Sequence, residues 1–254
     1  MRIATWNVNS LNVRLPRVEE WLEAKQPDVL CLQETKQSDE KFPFDELAAA
    51  GYESVHHGEG RWNGVAIVSR VGIDDVSYGF GSDEDEFGAR FIAATCSDVR
   101  IMSCYVPNGR SLDSEHFAAK LQWLAKLREV LRDVPSSMKA AAVGDFNVAP
   151  VDADVWDMAA LEGMTHVSSQ ERAAIEALEA VGFEDVFQRF HPDGGVFSWW
   201  DYRDGAFHKG HGMRIDLLLT SPALSETVTD AFVDRDARKG AKPSDHAPVV
   251  IDTL

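Results

Sequence analysis

Short strand-like segments recur along the whole chain, and they constrain its fold more than any other feature. Runs of apolar and β-branched residues, bounded by turn-forming residues, are spaced through all 254 residues. They cover residues 3–8, 29–33, 64–70, 90–96, 100–106, 140–144, 214–220, 227–233 and 247–252. Many neighbouring runs are joined by short turns rather than by helices. The pattern favours an α/β sandwich with mixed or antiparallel sheets over a doubly wound parallel fold.

Three helices are predicted between these strands. The first has Pro16 in its opening turn and reaches about residue 25. A longer one is predicted over residues 114–133, where apolar residues recur at helical spacing. The third opens with a capping-box pattern at residues 168–171 and stops at Gly182. No linker-like stretch or change of composition divides the chain, so we expect a single domain over residues 1–254.

The composition is that of a soluble globular protein. No run of about 18 apolar residues is present, which predicts no membrane span. The first residues show no charged-then-apolar leader, so no signal peptide is expected. The three cysteines are an odd number and lie in apolar runs, as expected of buried free thiols in a reducing compartment. We therefore predict a cytoplasmic protein.

The formal net charge of −17 argues at first sight against a nucleic-acid partner, which usually meets a basic face. Part of the acid, however, is concentrated in residues 82–86, which we interpret as a solvated loop. Basic residues recur elsewhere, at Arg14, Arg17, Lys36, Arg61, Arg110, Lys120, Lys209, Arg214 and in residues 235–242. A basic rim on an acidic body would reconcile the two, and a metal site would itself need carboxylates.

Polar side chains stand at the ends of several predicted strands. They are Asn7, Asn9, Glu34, Tyr105, Asn108, Asp145, Asn147, Asp216, Asp245 and His246. Each could cap a turn or form a local ion pair, but together they suggest that the strand ends meet at one edge. Carboxylate and amide oxygens dominate, which suits Mg²⁺ or Mn²⁺ rather than zinc. A metal, an imidazole and several carboxylates are typical of phosphate-ester hydrolysis.

Short motifs in a fixed order extend this interpretation. They are WNVN at 6–9, LQETK at 32–36, NGVA at 63–66, YVPNG at 105–109, GDFN at 144–147, FSWWDYR at 197–203, RID at 214–216 and SDH at 244–246. Together they resemble the exonuclease III branch of abasic-site endonucleases, within the endonuclease/exonuclease/phosphatase superfamily. The resemblance covers nearly the whole chain. It implies a four-layer α/β sandwich of the deoxyribonuclease I type, in which helices flank two packed mixed or antiparallel sheets.

The resemblance also implies a metal site. Glu34 would be the principal Mg²⁺ ligand, with Asn7 and Asp245 near the same ion. The implied metal-binding set further includes Asp145, Asn147 and His246.

The catalytic roles follow from the same resemblance. Asp145 would activate the attacking water or serve the leaving group, and Asn147 would donate to a phosphate oxygen. Tyr105 would contact the scissile phosphate. His246 would hydrogen-bond a non-bridging oxygen while Asp216 holds its ring, and a neighbouring carboxylate favours the imidazolium.

The resemblance implies a substrate pocket as well. Trp199, Met213 and Ile215 would line a small apolar pocket that admits an extruded abasic sugar but not an intact nucleotide. Arg110 and Lys120 are candidate DNA contacts, although Lys120 could equally lie on an exposed helix face. Two histidines at 208 and 211 are interpreted as part of a variable solvent loop.

The sequence thus predicts a monomeric, Mg²⁺-dependent DNA repair nuclease acting on double-stranded DNA with abasic sites or damaged 3′ ends. It would cut the phosphodiester 5′ to the abasic site, with some 3′→5′ exonuclease or 3′-repair activity. One alternative is a phosphoesterase of the same superfamily acting on a small or lipid headgroup. Another is a DNA-binding relative without catalysis, which the complete set of motif residues disfavours.

Overall fold

Two six-stranded sheets form the centre of the molecule in this computed structural model, which describes residues 1–81 and 87–254. The strands are β1 (Arg2–Asn7), β2 (Val29–Gln33), β3 (Glu53–His57), β4 (Val65–Ser69), β5 (Asp74–Tyr78), β6 (Phe91–Cys96), β7 (Val99–Tyr105), β8 (Ala140–Asp145), β9 (Glu184–Asp185), β10 (Trp199–Trp200), β11 (Gly212–Met213), β12 (Asp216–Thr220), β13 (Val228–Val233) and β14 (Val249–Thr253). The first sheet has the order β13-β14-β1-β2-β4-β3, and the second β5-β6-β7-β8-β12-β9. Strands β10 and β11 form a separate antiparallel pair.

Helices connect and cover the sheets. The α-helices are α1 (Leu11–Lys25), α2 (Phe44–Ala49), α3 (Glu115–Arg132), α4 (Met158–Leu161), α5 (Ser169–Glu179), α6 (Phe187–Phe190), α7 (Ala206–Lys209) and α8 (Pro222–Ser225), and 3₁₀ helices span Asp39–Lys41, Asp152–Asp154, Arg203–Gly205 and Arg235–Arg238. Strand pairs β1–β2 and β7–β8 are parallel, and the other pairs within the two large sheets are antiparallel. A parallel pair needs a crossover, which α1 and α3 provide.

The apolar core has layers because successive strand residues point to opposite faces of a sheet. Ile3 and Cys31 of the first sheet pack with Ile101 and Val143 of the second in the central layer. The outer face of the first sheet packs on α1 and α2, and that of the second on α3 and α5. Helix, sheet, sheet and helix follow one another, so the predicted four-layer sandwich is confirmed.

The predicted helices are present, with one error of position. Ser114 and Ser168 cap α3 and α5, and the predicted capping box between Ser168 and Glu171 is formed. Helix α1, however, begins at Leu11, so Pro16 lies inside it rather than in its first turn. None of the helices in the described residues combines the length and apolar character that crossing a membrane requires.

Five strands have no counterpart in the sequence prediction. Strands β3 and β5 are edge strands with mainly exposed or half-buried residues, so they show no apolar run. Strands β9, β10 and β11 have two residues each, too few to show a period. The acidic segment 82–86, interpreted above as a solvated loop, lies outside the described residues.

Candidate active site

Strand ends from both sheets meet at one edge of the sandwich, and the motif residues lie there. Asn7 ends β1 of the first sheet, and Asp145 ends β8 of the second. Asn7 Nδ2 donates to Asp145 Oδ2 at 2.9 Å, a contact that spans 138 residues of sequence and joins the two sheets. Asp216 and Tyr105 lie opposite Asp145 in the registers of β12 and β7. The shared edge therefore collects polar groups that the sequence separates widely.

A buried histidine is held between two carboxylates at this edge. His246 Nδ1 is 2.8 Å from Asp216 Oδ2, and Nε2 is 3.7 Å from Asp145 Oδ2. Ser198 Oγ donates to Asp216 Oδ2 at 2.6 Å, which holds that carboxylate in place. Burial alone would lower the pKa of His246, but Asp216 and Asp145 outweigh it and raise the pKa to about 10. The ring is therefore an imidazolium at neutral pH and presents an Nε2–H donor to the site.

Glu34 lies beside this group and is only partly buried. Its Oε1 accepts a hydrogen bond from Asn7 Nδ2 at 2.9 Å, and its Oε2 pairs with Lys36 Nζ at 2.8 Å. Glu34 and Lys36 both have positive φ, near 52°, so the backbone after β2 turns sharply. This turn keeps the Glu34 carboxylate next to Asn7 and Asp145.

Asp245 is held apart from its neighbour His246 by two donors. Asn9 Nδ2 donates to Oδ1 at 3.0 Å, and Trp199 Nε1 donates to Oδ2 at 3.1 Å. Burial would raise the pKa of Asp245, but His246 and the two donors outweigh it and lower the pKa. Asp245 is thus an ionised carboxylate at the border between the polar edge and the aromatic residues.

We call Asn7, Glu34, Asp145, Asp216 and His246 the carboxylate edge, and its donor set fits a divalent cation. Burial is the largest cause that raises the pKa of Asp145; Asp216 and Glu34 also raise it, His246 and Asn7 lower it, and the resulting pKa is about 7. An ionised carboxylate is thus unfavourable there without more positive charge. Oxygens of Asp145 and Asp216 and a ring nitrogen of His246 come close enough to share an ion. Asp216 pairs with His246, which balances its charge, whereas Glu34 and Asp145 both adjoin Asn7 and bring two further carboxylates together, a ligand type that suits a divalent cation.

The amide of Asn147 contacts Asp145, and Asn108 and Tyr105 lie next to these two residues. Asn147 Nδ2 donates to Asp145 Oδ2 at 3.2 Å and to Val106 O at 3.0 Å, and Asn108 Nδ2 donates to Asn147 Oδ1 at 3.2 Å. The guanidinium of Arg90 stacks 4.5 Å from the ring centroid of Tyr105. Burial, with Glu34 adding to it, raises the pKa of Tyr105 well above its ordinary value, so the phenol is protonated.

The predicted pocket residues come together on the short β10–β11 pair. Trp199 and Met213 are cross-strand partners, and both pack in a small apolar cluster with Ile215. We call Trp199, Met213 and Ile215 the apolar wall. Trp199 belongs to this wall and also donates to Asp245, whereas Trp200 is buried, with 1% of its surface exposed.

Lys120, a candidate DNA contact from the sequence, is buried, which corrects both that prediction and the alternative of an exposed helix face. Its side chain has no exposed surface and pairs with Glu171, because α3 turns this position toward the loops behind Asn147. Arg110 is exposed near Asn108, so it stays a candidate for contact with DNA.

Much of the predicted basic rim serves the fold instead. Arg14 and Arg17 donate to backbone carbonyls of the segment from residue 237 to residue 243. Arg214 is buried between Asp154 and Asp185. Arg61, Arg110, Lys209, Arg235 and Lys242 are exposed. The rim is therefore sparser than the sequence suggested.

Some residues of the site were missed from the sequence. His166 Nδ1 contacts the carbonyl of Asn147, and its Nε2 lies 3.4 Å from Asn108 Nδ2. No motif marks this histidine, although its φ of 80° shows a tight backbone turn. His211, interpreted as part of a solvent loop, stacks on the half-exposed Trp156 with 3.8 Å between ring centroids.

Comparisons with known proteins identify the family of this chain. The family model described as Endonuclease/Exonuclease/phosphatase family matches residues 4–246. Exodeoxyribonuclease III of Haemophilus influenzae is 33% identical over 265 residues, which cover 98% of both chains.

Solved structures give the same result. An AP endonuclease from Archaeoglobus fulgidus is 38% identical with a TM-score of 0.96, and a 3′-5′ exonuclease from Neisseria meningitidis is 44% identical with a TM-score of 0.97; each match covers 100% of this chain and 99% of the other. A 3′ phosphatase from Neisseria, bound to a product DNA hairpin, is 43% identical with a TM-score of 0.97 over the same shares. The chain therefore belongs to the Endonuclease/Exonuclease/phosphatase family, in its exonuclease III branch of DNA repair nucleases.

Proposed function

We propose that this protein uses a divalent metal to hydrolyse DNA phosphoesters at lesions. Its substrates would be the phosphodiester 5′ to an abasic site and the phosphoesters of damaged 3′ ends in double-stranded DNA. The observation that carries the proposal is the position of His246, held by Asp216 and facing Asp145 where both sheets end. This arrangement places a cationic donor and a carboxylate side by side, as attack on a phosphate requires.

Each group has a chemical task in the proposal. Asp145, with a pKa of about 7, would accept the proton of the attacking water. The Nε2–H of His246 and the Asn147 amide N–H that contacts Asp145 would turn to donate to phosphate oxygens as negative charge develops there. The Tyr105 phenol would contact the same phosphate. Glu34, Asn7 and Asp145 would hold Mg²⁺ or Mn²⁺, with Asp245 nearby, and the ion would neutralise phosphate charge.

The apolar wall supports a preference for a sugar without its base. Trp199 is the partly exposed member of the wall, and Met213 and Ile215 are buried behind it, with 4% and 2% of their surfaces exposed. The indole N–H is already used by Asp245, so the wall offers little hydrogen bonding. A deoxyribose lacking a base would fit there once it leaves the stack, and extrusion is easiest at a damaged site. The Neisseria relatives are described by activities at 3′ ends and the Archaeoglobus relative as an AP endonuclease. Because this chain is more similar in sequence to the Neisseria proteins than to the Archaeoglobus protein, we expect its activity at 3′ ends to exceed its activity at abasic sites.

The test compares three duplexes: one with an internal abasic analogue, one with a nick carrying a 3′-phosphate, and one with a nick carrying a normal 3′-hydroxyl. Each is incubated with Mg²⁺, with Mn²⁺ and with chelator. We expect metal-dependent cleavage at the lesions, fastest at the 3′-phosphate. Hydrolysis of soluble phosphoesters without action on any duplex would instead identify a phosphoesterase for small or lipid headgroups. Binding to the abasic duplex without cleavage would identify a non-catalytic relative.

We further propose that the protein is cytoplasmic and acts as a monomer. Cys31, Cys96 and Cys104 are free and buried, which suits a reducing compartment. Cell fractionation and size-exclusion chromatography with light scattering test the two statements. A membrane-bound pool or a stable dimer would contradict them.

A further inference from the structure

A buried ion pair lies directly behind the loops that carry Asn108 and Asn147. The ammonium of Lys120 contacts the carboxylate of Glu171, and neither side chain has exposed surface. Removing two charges from water is unfavourable unless additional hydrogen bonds satisfy both groups. The hydrogen-bond partners of Lys120 and Glu171 therefore show which parts of the fold the pair holds in place.

The ammonium donates to the backbone of both loops. Lys120 Nζ lies 2.6 Å from Asn147 O and 3.2 Å from Asn108 O. An ammonium has three N–H donors and no acceptor, and the two carbonyls, Glu171 and the more distant Thr165 Oγ1 at 3.4 Å share them. Asn147 is buried with a φ of 52°, outside any helix or strand, so its carbonyl has no ladder partner. The lysine thus holds the peptide plane that follows each of the two asparagines, and His166 Nδ1 contacts the Asn147 carbonyl as well.

The carboxylate ties a third segment to the same point. Glu171 Oε1 accepts from Thr165 Oγ1 at 2.7 Å and from the backbone N–H of His166 at 2.8 Å. Its Oε2 accepts from the backbone N–H of Ser168 at 3.0 Å, which closes the first turn of α5. Three loops that are far apart in sequence are therefore anchored by one pair.

Gly109 leaves room for this arrangement. A Cβ at this position would lie 2.9 Å from Thr165 Oγ1 and 3.1 Å from Lys120 Cδ, and its φ of 91° is one that glycine adopts without strain. The backbone can therefore approach the lysine stem closely enough for Asn108 O to reach the ammonium.

We infer that Lys120 and Glu171 form a positioning pair that sets the side-chain directions of Asn108 and Asn147, an inference that rests on the function proposed above. Asn108 Nδ2 donates to Asn147 Oδ1, which turns Asn147 Nδ2 toward Asp145. Neither charged group touches the reacting atoms. Loss of the pair lets both loops relax, and a donor displaced by about 1 Å lowers the rate about 10²-fold.

The double variant Lys120→Met/Glu171→Leu tests the inference. Replacing both members leaves no unpaired buried charge, although the backbone groups that bonded to the pair lose those partners, so this variant should fold with reduced stability. We expect kcat to fall about 10- to 100-fold while KM changes little, because the amide donor acts mainly in the transition state. Arg2→Met is the matched control, since Arg2 pairs with Asp252 at the opposite end of β1 from Asn7. It should keep kcat unchanged.

A second measurement does not depend on activity. The ¹H–¹⁵N resonances of the side-chain amides of Asn108 and Asn147 should shift in the double variant and stay in place in Arg2→Met. A folded double variant with kcat within about twofold of wild type, or with unshifted amide resonances, overturns the inference. If the double variant is insoluble, Glu171→Gln replaces it, with a smaller fall in kcat expected and an unchanged kcat counting against the pair. A wild-type protein inactive on every duplex would instead refute the proposed function, and the amide resonances would still test the positioning.

Discussion

The carboxylate edge and the apolar wall lie side by side but differ in how their residues are constrained. At the edge, Asp216, His246 and Asp145 form a buried chain of charged groups, and each contact limits the next. The wall is a small packed cluster in which Trp199 donates to Asp245, the neighbour of His246, and pairs with His246 through its backbone. A charged or hydrogen-bonding group stops stabilising the transition state when its charge or direction changes. An apolar surface binds through its shape, so a change of shape alters its affinity for a substrate only gradually. We therefore expect the edge to control the rate and the wall to control the choice of substrate.

The largest expected effect comes from removing the charge of Asp145. Asp145→Asn keeps the shape of the side chain and its hydrogen bond from Asn7 but removes the proton acceptor. The rate on lesion duplexes should fall about 10²- to 10⁴-fold, with binding of the same duplex changed only slightly. Single-turnover kinetics and fluorescence anisotropy measure the two quantities. A variant with near-normal turnover would remove Asp145 from the chemistry.

A smaller effect is expected from the wall. Met213→Ala enlarges the space beside Trp199, so the pocket should exclude an intact nucleotide less well. The preference for a 3′-phosphate or abasic duplex over a normal 3′ end should fall about tenfold, since changes of pocket shape alter discrimination by about 1–3 kcal/mol. Competition between the duplexes in one reaction measures this ratio. An equal loss on every duplex, with the ratio unchanged, would show that the wall does not select.

Without a bound metal, the ionised Asp145 carboxylate should lower the free energy of unfolding above about pH 7. Asp145 has a folded pKa of about 7, above its ordinary 3.8. Its contribution to stability is therefore fully present below the unfolded pKa and is lost as pH rises through about 7. With chelator present, Asp145→Asn should have a higher Tm than wild type above pH 7. The increase should be about 2–4 °C for each kcal/mol by which the substitution raises the free energy of unfolding. The difference should vanish near pH 4 and shrink when Mg²⁺ is added. Calorimetry across this pH range would contradict the idea if the difference stayed constant.

The smallest effect concerns DNA affinity. Arg110→Ala should lower the slope of log K against log salt by about 1 if this exposed side chain contacts one phosphate. Arg128→Ala, on an exposed position of α3, serves as the control and should leave the slope unchanged. Equal slopes for both variants and wild type would exclude Arg110 from the interface.

The prediction from sequence succeeded where a local pattern carries the information. Buried strands such as β2 and β8 contain nearly continuous apolar runs. Helices α3 and α5 begin at serine caps whose hydrogen-bond partners lie only a few residues further along the chain. The edge strands β3 and β5 escaped detection because their side chains are largely solvated, so their pairing depends on the neighbouring strand rather than on their own pattern. The motif residues of the site were identified because their order along the chain resembles that of a known family.

The amino-acid sequence by itself determined the layered α/β class, the helix starts marked by serine caps and the set of polar residues available for chemistry. Only the tertiary structure decided which charges are solvated and which are buried. Lys120 looked like a DNA contact until α3 brought it to Glu171, and Arg14 and Arg17 looked like a basic rim until their donors met backbone carbonyls. The physical reason is that the environment of a charge depends on partners far away in sequence. Asn7 and Asp145 are 138 residues apart and become neighbours only when the two sheets pack.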